Sequence, residues 1–261
     1  MYDYEVVERC IDRDDKHIYG NLIMPVATEG EEPLPEKLPL IIFAHEFNCR
    51  WTRGLKYGKG LAPHGYAVYG FDFCGGHSES KSSGETWDMS VFTNAEDVAT
   101  VYRAAREWPE FDPEKIIIMG GSQGGFACAI ATGKWLTEVP LLVLLYPGFT
   151  MECLLFDYKD ISEIENKLNT PMSDGMVVGS RYLTDLWGYK TFGDLPNYKH
   201  PVLILQGGDD EWVTPRYSRM AADAYPDAEL IIYEGCGHIF QGEFYDRSVQ
   251  DTVNFLKKHN F

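Results

Sequence analysis

Residues 38–44 form an uninterrupted apolar run, and the same pattern returns at 66–71, 115–119, 140–146, 201–206 and 230–233. A run without polar alternation suits a strand covered on both faces, as in a parallel sheet. Between the runs lie segments with helical spacing of apolar residues, at 55–63, 91–108, 124–136, 215–225 and 243–259. Shorter strand patterns at 5–11 and 18–24 precede them, and 28–37, rich in Glu and Pro, reads as a polar loop. Strand and helix alternate. That rhythm predicts an α/β fold with a mostly parallel, doubly wound sheet, whose active site lies beyond the carboxyl ends of the strands.

One interval breaks the rhythm. Residues 147–200 separate two strands by far more than an ordinary connection. The stretch carries Phe149, Phe156, Tyr182, Trp187 and Tyr189. It predicts a small lid or cap insertion whose aromatics either enclose a flat substrate ring or form the insertion's own core.

A length of 261 residues suits one large domain with its own core, and two domains would leave both halves undersized. With 44% hydrophobic and 24% charged residues, the composition excludes a disordered or collagen-like chain. The net charge of −17 is spread along the chain. Such a field repels nucleic acid and anionic membrane, so neither is expected as a partner, and it does not assist capture of an anionic substrate. No signal-peptide pattern or membrane-length apolar run is visible, which makes a cytoplasmic protein the expectation. The six cysteines, Cys10, Cys49, Cys74, Cys128, Cys153 and Cys236, lack C-x-x-C spacing and read as reduced thiols. The sequence sets no oligomeric state, and a homodimer stays open.

The chemistry concentrates at strand ends. Lys115 to Gly125 runs from an apolar strand through Gly120-Gly121-Ser122-Gln123-Gly124 into a helix, the context in which G-x-S-x-G makes a nucleophile elbow. The sharp turn exposes the serine hydroxyl, and small neighbours relieve its crowding. A serine hydroxyl needs a base to remove its proton during attack. His238, in Gly235-Cys236-Gly237-His238, follows the last apolar strand and precedes the terminal helix. Its competitors downstream of Ser122 are His200, at the wrong end of a strand, and His259, in the last turn of a helix. The carboxylate that orients the base belongs after another strand, where Gly207 to Val213 offers Asp209, Asp210 and Glu211. The pattern G-x-x-D-x-x-V selects Asp210, with Asp209 the nearest rival. Two backbone donors are expected for the oxyanion, Gln123 N–H after the nucleophile and Phe47 N–H after the strand ending at Ala44.

These residues resemble the α/β-hydrolase superfamily of serine esterases, and within it the small bacterial cinnamoyl and feruloyl esterases. The resemblance spans His45-x-Phe47, Asp72 to Ser78, the elbow at Gly120 to Gly124, Gly207 to Val213 and Gly237-His238. It implies hydrolysis of a small-molecule ester through an acyl-enzyme, without metal or other cofactor, and places Tyr182 near the phenolic end of the substrate. Trp212 and Glu46 are further candidate substrate contacts. Glu46 stands where the family usually has glycine, so it is expected either to alter the oxyanion loop or to place a carboxylate at the pocket edge. His45-Glu46 begins H-E-x-x-H, but Cys49 occupies the second histidine position and no helix is expected there, which argues against zinc. The same triad would serve an acetyl or short-chain esterase, a thioesterase or a small-peptide hydrolase. A catalytically silent binding protein on the same fold is the alternative from another class.

Overall fold

A computed structural model describes residues 1–13, 15–165, 170–171 and 175–261. The N-terminal part pairs β1 (Asp3–Glu8) with β4 (Gly20–Val26) in antiparallel register, and β2 (Ile11–Arg13) with β3 (Lys16–Ile18) in a small hairpin between them. The alternating core then follows as β5 (Leu38–Ala44), α1 (Thr52–Leu61), β6 (Ala67–Phe71), α2 (Val91–Ala105), β7 (Phe111–Gly121), α3 (Ser122–Lys134) and β8 (Leu142–Leu145). Beyond the long interval come β11 (Val202–Gly207), α6 (Pro215–Ala224), β12 (Ala228–Tyr233) and α7 (Glu243–Lys258). The interval itself holds α4 (Ser162–Glu165), α5 (Arg181–Thr184) and the short antiparallel pair β9 (Thr170–Pro171) and β10 (Val177–Val178). Parts of the anticipated lid, 166–169 and 172–174, lie outside the described residues.

The main sheet has eight strands in the order β1-β4-β6-β5-β7-β8-β11-β12. From β6 onward every neighbouring pair is parallel. The apolar runs are explained by what each residue faces. In β5, Leu40, Ile42 and Ala44 join the core beneath α2 and α3, whereas Ile41 and Phe43 join a second core beneath α1 and α7. Ile116 and Ile118 against Ile117 and Met119 in β7 divide in the same way, as do Leu142 and Leu144 against Val143 and Leu145 in β8. Both faces of the central strands are dry, so polar alternation has no place in them. This is the α/β-hydrolase fold.

The differences from the sequence reading are local. The first strand ends at Glu8, and Ile11 begins the small hairpin instead of extending it. Strand β7 begins at Phe111, before the apolar run, with a register irregularity against β5 between Leu38 and Leu40. Helix α2 stops at Ala105 and starts under a capping box in which Ser90 accepts from Thr93 N–H. The Ser90 hydroxyl also donates to Asp185 Oδ2 at 2.6 Å, tying the helix start to the interval between β8 and β11.

Candidate functional site

Ser122 sits where β7 meets α3, with φ of +49°. A non-glycine residue in this region is strained, and the strain is held by packing on both sides of the turn. A Cβ on Gly124 would run into the carbonyl oxygens of Ala44 and His45, so only glycine lets α3 approach the end of β5 this closely. Gly148 N–H donates to Ser122 O at 2.8 Å and fixes the turn from the far side.

Carboxylate and histidine arrive from the ends of the last two strands, β11 and β12. His238 lies in the loop between β12 and α7, its Nε2 2.9 Å from Ser122 Oγ and its Nδ1 2.7 Å from Asp210 Oδ2. Asp210 is 2% exposed, and every oxygen is matched. Oδ1 accepts the N–H groups of Trp212 at 2.9 Å and Val213 at 2.8 Å, and Oδ2 accepts Gln206 Nε2 at 2.9 Å as well as the imidazole. Gln206 is itself held by Ser218, whose hydroxyl donates to its Oε1 at 2.6 Å. The rival Asp209 is exposed, and its N–H donates to Cys236 O. Such an arrangement can take the proton of Ser122 onto Nε2 while the Nδ1 hydrogen bond fixes the tautomer and stabilises the imidazolium.

Phe47 and Gln123 line the same cavity as Ser122 and His238. Among the described residues neither backbone N–H has a hydrogen-bonded acceptor. Both segments are immobilised by their side-chain surroundings. The buried His45 ring donates from Nδ1 to Glu46 O at 2.7 Å and accepts Phe73 N–H on Nε2 at 3.1 Å, which pins the loop carrying Phe47. Burial pushes the His45 imidazole below its ordinary range, keeping it in the neutral form that these two bonds require. With both ring nitrogens occupied, His45 has nothing to offer a metal. Gln123 is gripped by Asn94, which accepts from its Nε2 at 2.7 Å, and by Tyr182, which donates to its Oε1 at 2.6 Å.

The three candidate substrate contacts all reach the cavity, in different ways. Trp212 is 76% exposed and stacks on the His238 ring at 5.7 Å and 20°. Tyr182 forms part of the wall, but its hydroxyl proton goes to Gln123 and not to a free position at the far end of the cavity. Glu46 is 5% exposed and belongs to the floor. Its Oε1 accepts the Tyr146 hydroxyl at 2.8 Å, and its Oε2 lies 3.4 Å from Arg53 Nε. Its φ is not positive, so the backbone here does not call for glycine. Room for the carboxylate comes from the elbow instead, since a Cβ on Gly121 would stand 3.0 Å from Glu46 Oε1.

Sequence reasoning missed Tyr146, Arg53 and Gln206. Tyr146 has φ of +37°, packs edge-on against His238 at 5.0 Å and donates a hydrogen bond to Glu46, so the carboxylate holds the ring that packs against the imidazole. Gln206 had a visible signal, as the one polar residue ending a buried strand. Glu46→Gly is expected to lower the unfolding free energy by about 1–3 kcal/mol, because it strands the buried Tyr146 hydroxyl and removes the partner of Arg53. Glu46→Gln, which keeps an acceptor for Tyr146, should lose less. Urea unfolding of the two variants checks this, and a glycine variant as stable as the wild type would show that the tie carries no weight.

The aromatics of 147–200 divide unevenly. Of Phe149, Phe156, Tyr182, Trp187 and Tyr189, Tyr182 lines the cavity. Phe149 and Tyr189 pack on Phe126 of α3, Trp187 lies against the same core, and Phe156 is 73% exposed. The insertion's rings therefore mostly cover α3. The cavity, about 250 Å³, takes its apolar lining from Phe47, Met151, Leu154, Trp212, Val213 and Ile239 in addition to Tyr182. Among the described residues no helix is long and apolar enough to cross a membrane.

Solved structures share this architecture. Est1E from Butyrivibrio proteoclasticus, in a complex with ferulic acid, superposes with a TM-score of 0.83 over 97% of this chain and 99% of its own, at 22% identity. A 2-hydroxy-6-oxononadienedioate/2-hydroxy-6-oxononatrienedioate hydrolase from a Pseudomonas species is 30% identical over 173 residues, 61% of this chain and 60% of that protein. The chain thus spans about three fifths of that relative's length. The proline iminopeptidase PfmaB of Pestalotiopsis fici is 23% identical across 86% of this chain and 94% of its own. The model of the prolyl oligopeptidase family matches residues 59–260, which hold the elbow, Asp210 and His238. By that match over most of its length, the chain belongs to the prolyl oligopeptidase family.

Proposed function

We propose that this protein is a serine carboxylesterase acting on small, largely apolar esters, with hydroxycinnamoyl esters as the favoured class. The observation that carries the proposal is the Ser122–His238–Asp210 chain of hydrogen bonds opening into an apolar cavity. Ser122 Oγ would attack the ester carbonyl as its proton moves to His238 Nε2, and the N–H groups of Phe47 and Gln123 would receive the oxyanion. The C–O bond then breaks, His238 returns the proton to the departing alcohol, and water repeats the sequence to free the acid. The interval 147–200 acts as a cap through Met151, Leu154 and Tyr182.

The lining favours an ester over the substrates named for the two relatives. Among the described residues it contains neither lysine nor arginine, so a dicarboxylate such as the Pseudomonas enzyme's would find no cation, and the net charge of −17 opposes it further. Glu46, the one carboxylate in the lining, is buried and already ion-paired with Arg53 at 3.4 Å, so a substrate ammonium group would have to compete with that guanidinium. A flat acyl group could bury its faces between Phe47, Tyr182 and Met151 at about 25 cal/mol per Å². Initial rates on the 4-nitrophenyl esters of ferulic, cinnamic, acetic and octanoic acid, which share one leaving group, and on proline 2-naphthylamide test the reading. Highest kcat/KM on the cinnamoyl pair is expected. A clear preference for acetyl or octanoyl esters would overturn the acyl assignment, and preference for the amide would overturn esterase activity.

A further inference from the structure

A second groove of about 330 Å³ adjoins the cavity just described. The two share Thr150, Met151, Leu154 and Trp212, and the groove continues past them to Cys153, Thr214 and Tyr217. Thr150 Oγ1 donates to Trp212 O at 3.3 Å, so the start of the interval after β8 and the loop after Asp210 meet at the ridge between the two spaces. On the groove side, Cys153 Sγ and the Tyr217 hydroxyl are 3.0 Å apart. None of the seven lining residues is charged. Trp212 and Leu154 are both exposed, so the rim leaves apolar area open to water beside the nucleophile.

The catalytic reading gives this space a direction. Whichever atom leaves must be within reach of His238 Nε2, because that nitrogen supplies its proton. The leaving group therefore extends on the His238 side, opposite the donors Phe47 and Gln123. The Trp212 ring lies nearly parallel to the imidazole there and forms a wall of both spaces. An uncharged groove beyond a flat, exposed indole matches a flat apolar group, and an exposed tryptophan offers a stacking face at little ordering cost.

We propose that this groove is the leaving-group subsite, which takes the aryl or arylalkyl alcohol portion of the substrate ester. The proposal rests on the catalytic assignment of Ser122 and His238, and it adds that the substrate is extended and carries a ring on both sides of the scissile bond. It predicts selection by the alcohol as well as by the acid.

The test compares benzyl and methyl esters of one acid in the wild type and in Thr214→Trp, where a large side chain replaces an exposed residue of the groove. The benzyl-to-methyl ratio of kcat/KM is expected to exceed about tenfold in the wild type and to fall by about tenfold in the variant, the scale of a filled apolar pocket. An unchanged ratio overturns the proposal. So does a variant that alters selection among acyl chains while leaving the alcohol ratio alone, since the groove would then belong to the acid. Binding of 2-naphthylmethanol, followed by saturation-transfer NMR, needs no turnover. It is expected with the wild type and with Ser122→Ala and is lost in Thr214→Trp, and undiminished binding in Thr214→Trp overturns the subsite whatever the kinetics. Absence of ester cleavage together with groove-dependent binding would instead place the failure in the catalytic assignment.

Discussion

Replacing Ser122 with alanine is expected to lower kcat by on the order of 10⁵- to 10⁶-fold and to abolish labelling by a fluorophosphonate, with the fold intact. The hydroxyl hydrogen-bonds to His238 Nε2, and nothing else among the described residues is placed to replace it as a nucleophile in the cavity. Alanine brings no bulk to the turn, and the left-handed backbone there is held by Gly148 N–H and by the close approach of Gly124 to β5. His238→Ala should cost a similar factor, because the hydroxyl then has no base within reach. The two losses should not multiply in the double variant, since each removes the same activated nucleophile. Near wild-type rates in either single variant would refute the assignment. Retained labelling of Ser122 with no turnover of any ester, thioester or amide would point to a binding protein that keeps a reactive serine.

Asp210→Asn is expected to reduce kcat by about 10⁴-fold, while Asp209→Asn stays within a few-fold of the wild type. The geometry makes the difference large. Four donors converge on the two Asp210 oxygens, from Trp212, Val213, Gln206 and His238. An asparagine must turn its NH₂ toward one of these pairs, donor against donor. If the amide faces the imidazole, His238 is driven to the tautomer that carries its hydrogen on Nε2 and cannot accept from Ser122. Asp209 is exposed, and its side chain has no part in this cluster. Steady-state kinetics on one good ester settles the comparison. The reverse ranking would mean that Asp209 orients the histidine.

The sequence carried different parts of this structure with different clarity. The central strands were legible because both faces of the sheet are buried, so residues such as Leu40 to Ala44 are apolar without a break even though they serve two separate cores. The small hairpin of β2 and β3 was not, since three-residue strands leave too little pattern to separate from their neighbours. Aromatic residues at 147–200 were visible, but their use was not. Whether Phe149 faces a substrate or Phe126 depends on how α3 lies beneath it, and the packing gave that ring to the core.

What the chain by itself determined was local chemistry with a rigid covalent frame: strand, glycine-lined turn, serine and helix, and carboxylate and histidine candidates at the ends of later strands. Small residues at Gly120, Gly121 and Gly124 imply that turn whatever lies around it. What only the tertiary structure decided was the pairing of groups far apart in sequence. The pattern G-x-x-D-x-x-V already selects Asp210 over Asp209, and the structure adds what holds it: the Val213 and Trp212 N–H groups and Gln206 draw its carboxylate inward against the imidazole. Glu46 is a buried brace rather than a free pocket carboxylate because the sheet order sets β5, β7 and β8 side by side, which carries Tyr146 across to it, and Arg53 closes the other side. Hydrophobic periodicity reports which face of an element is dry, but the partner across that face follows from strand order and register, and those are properties of the assembled sheet.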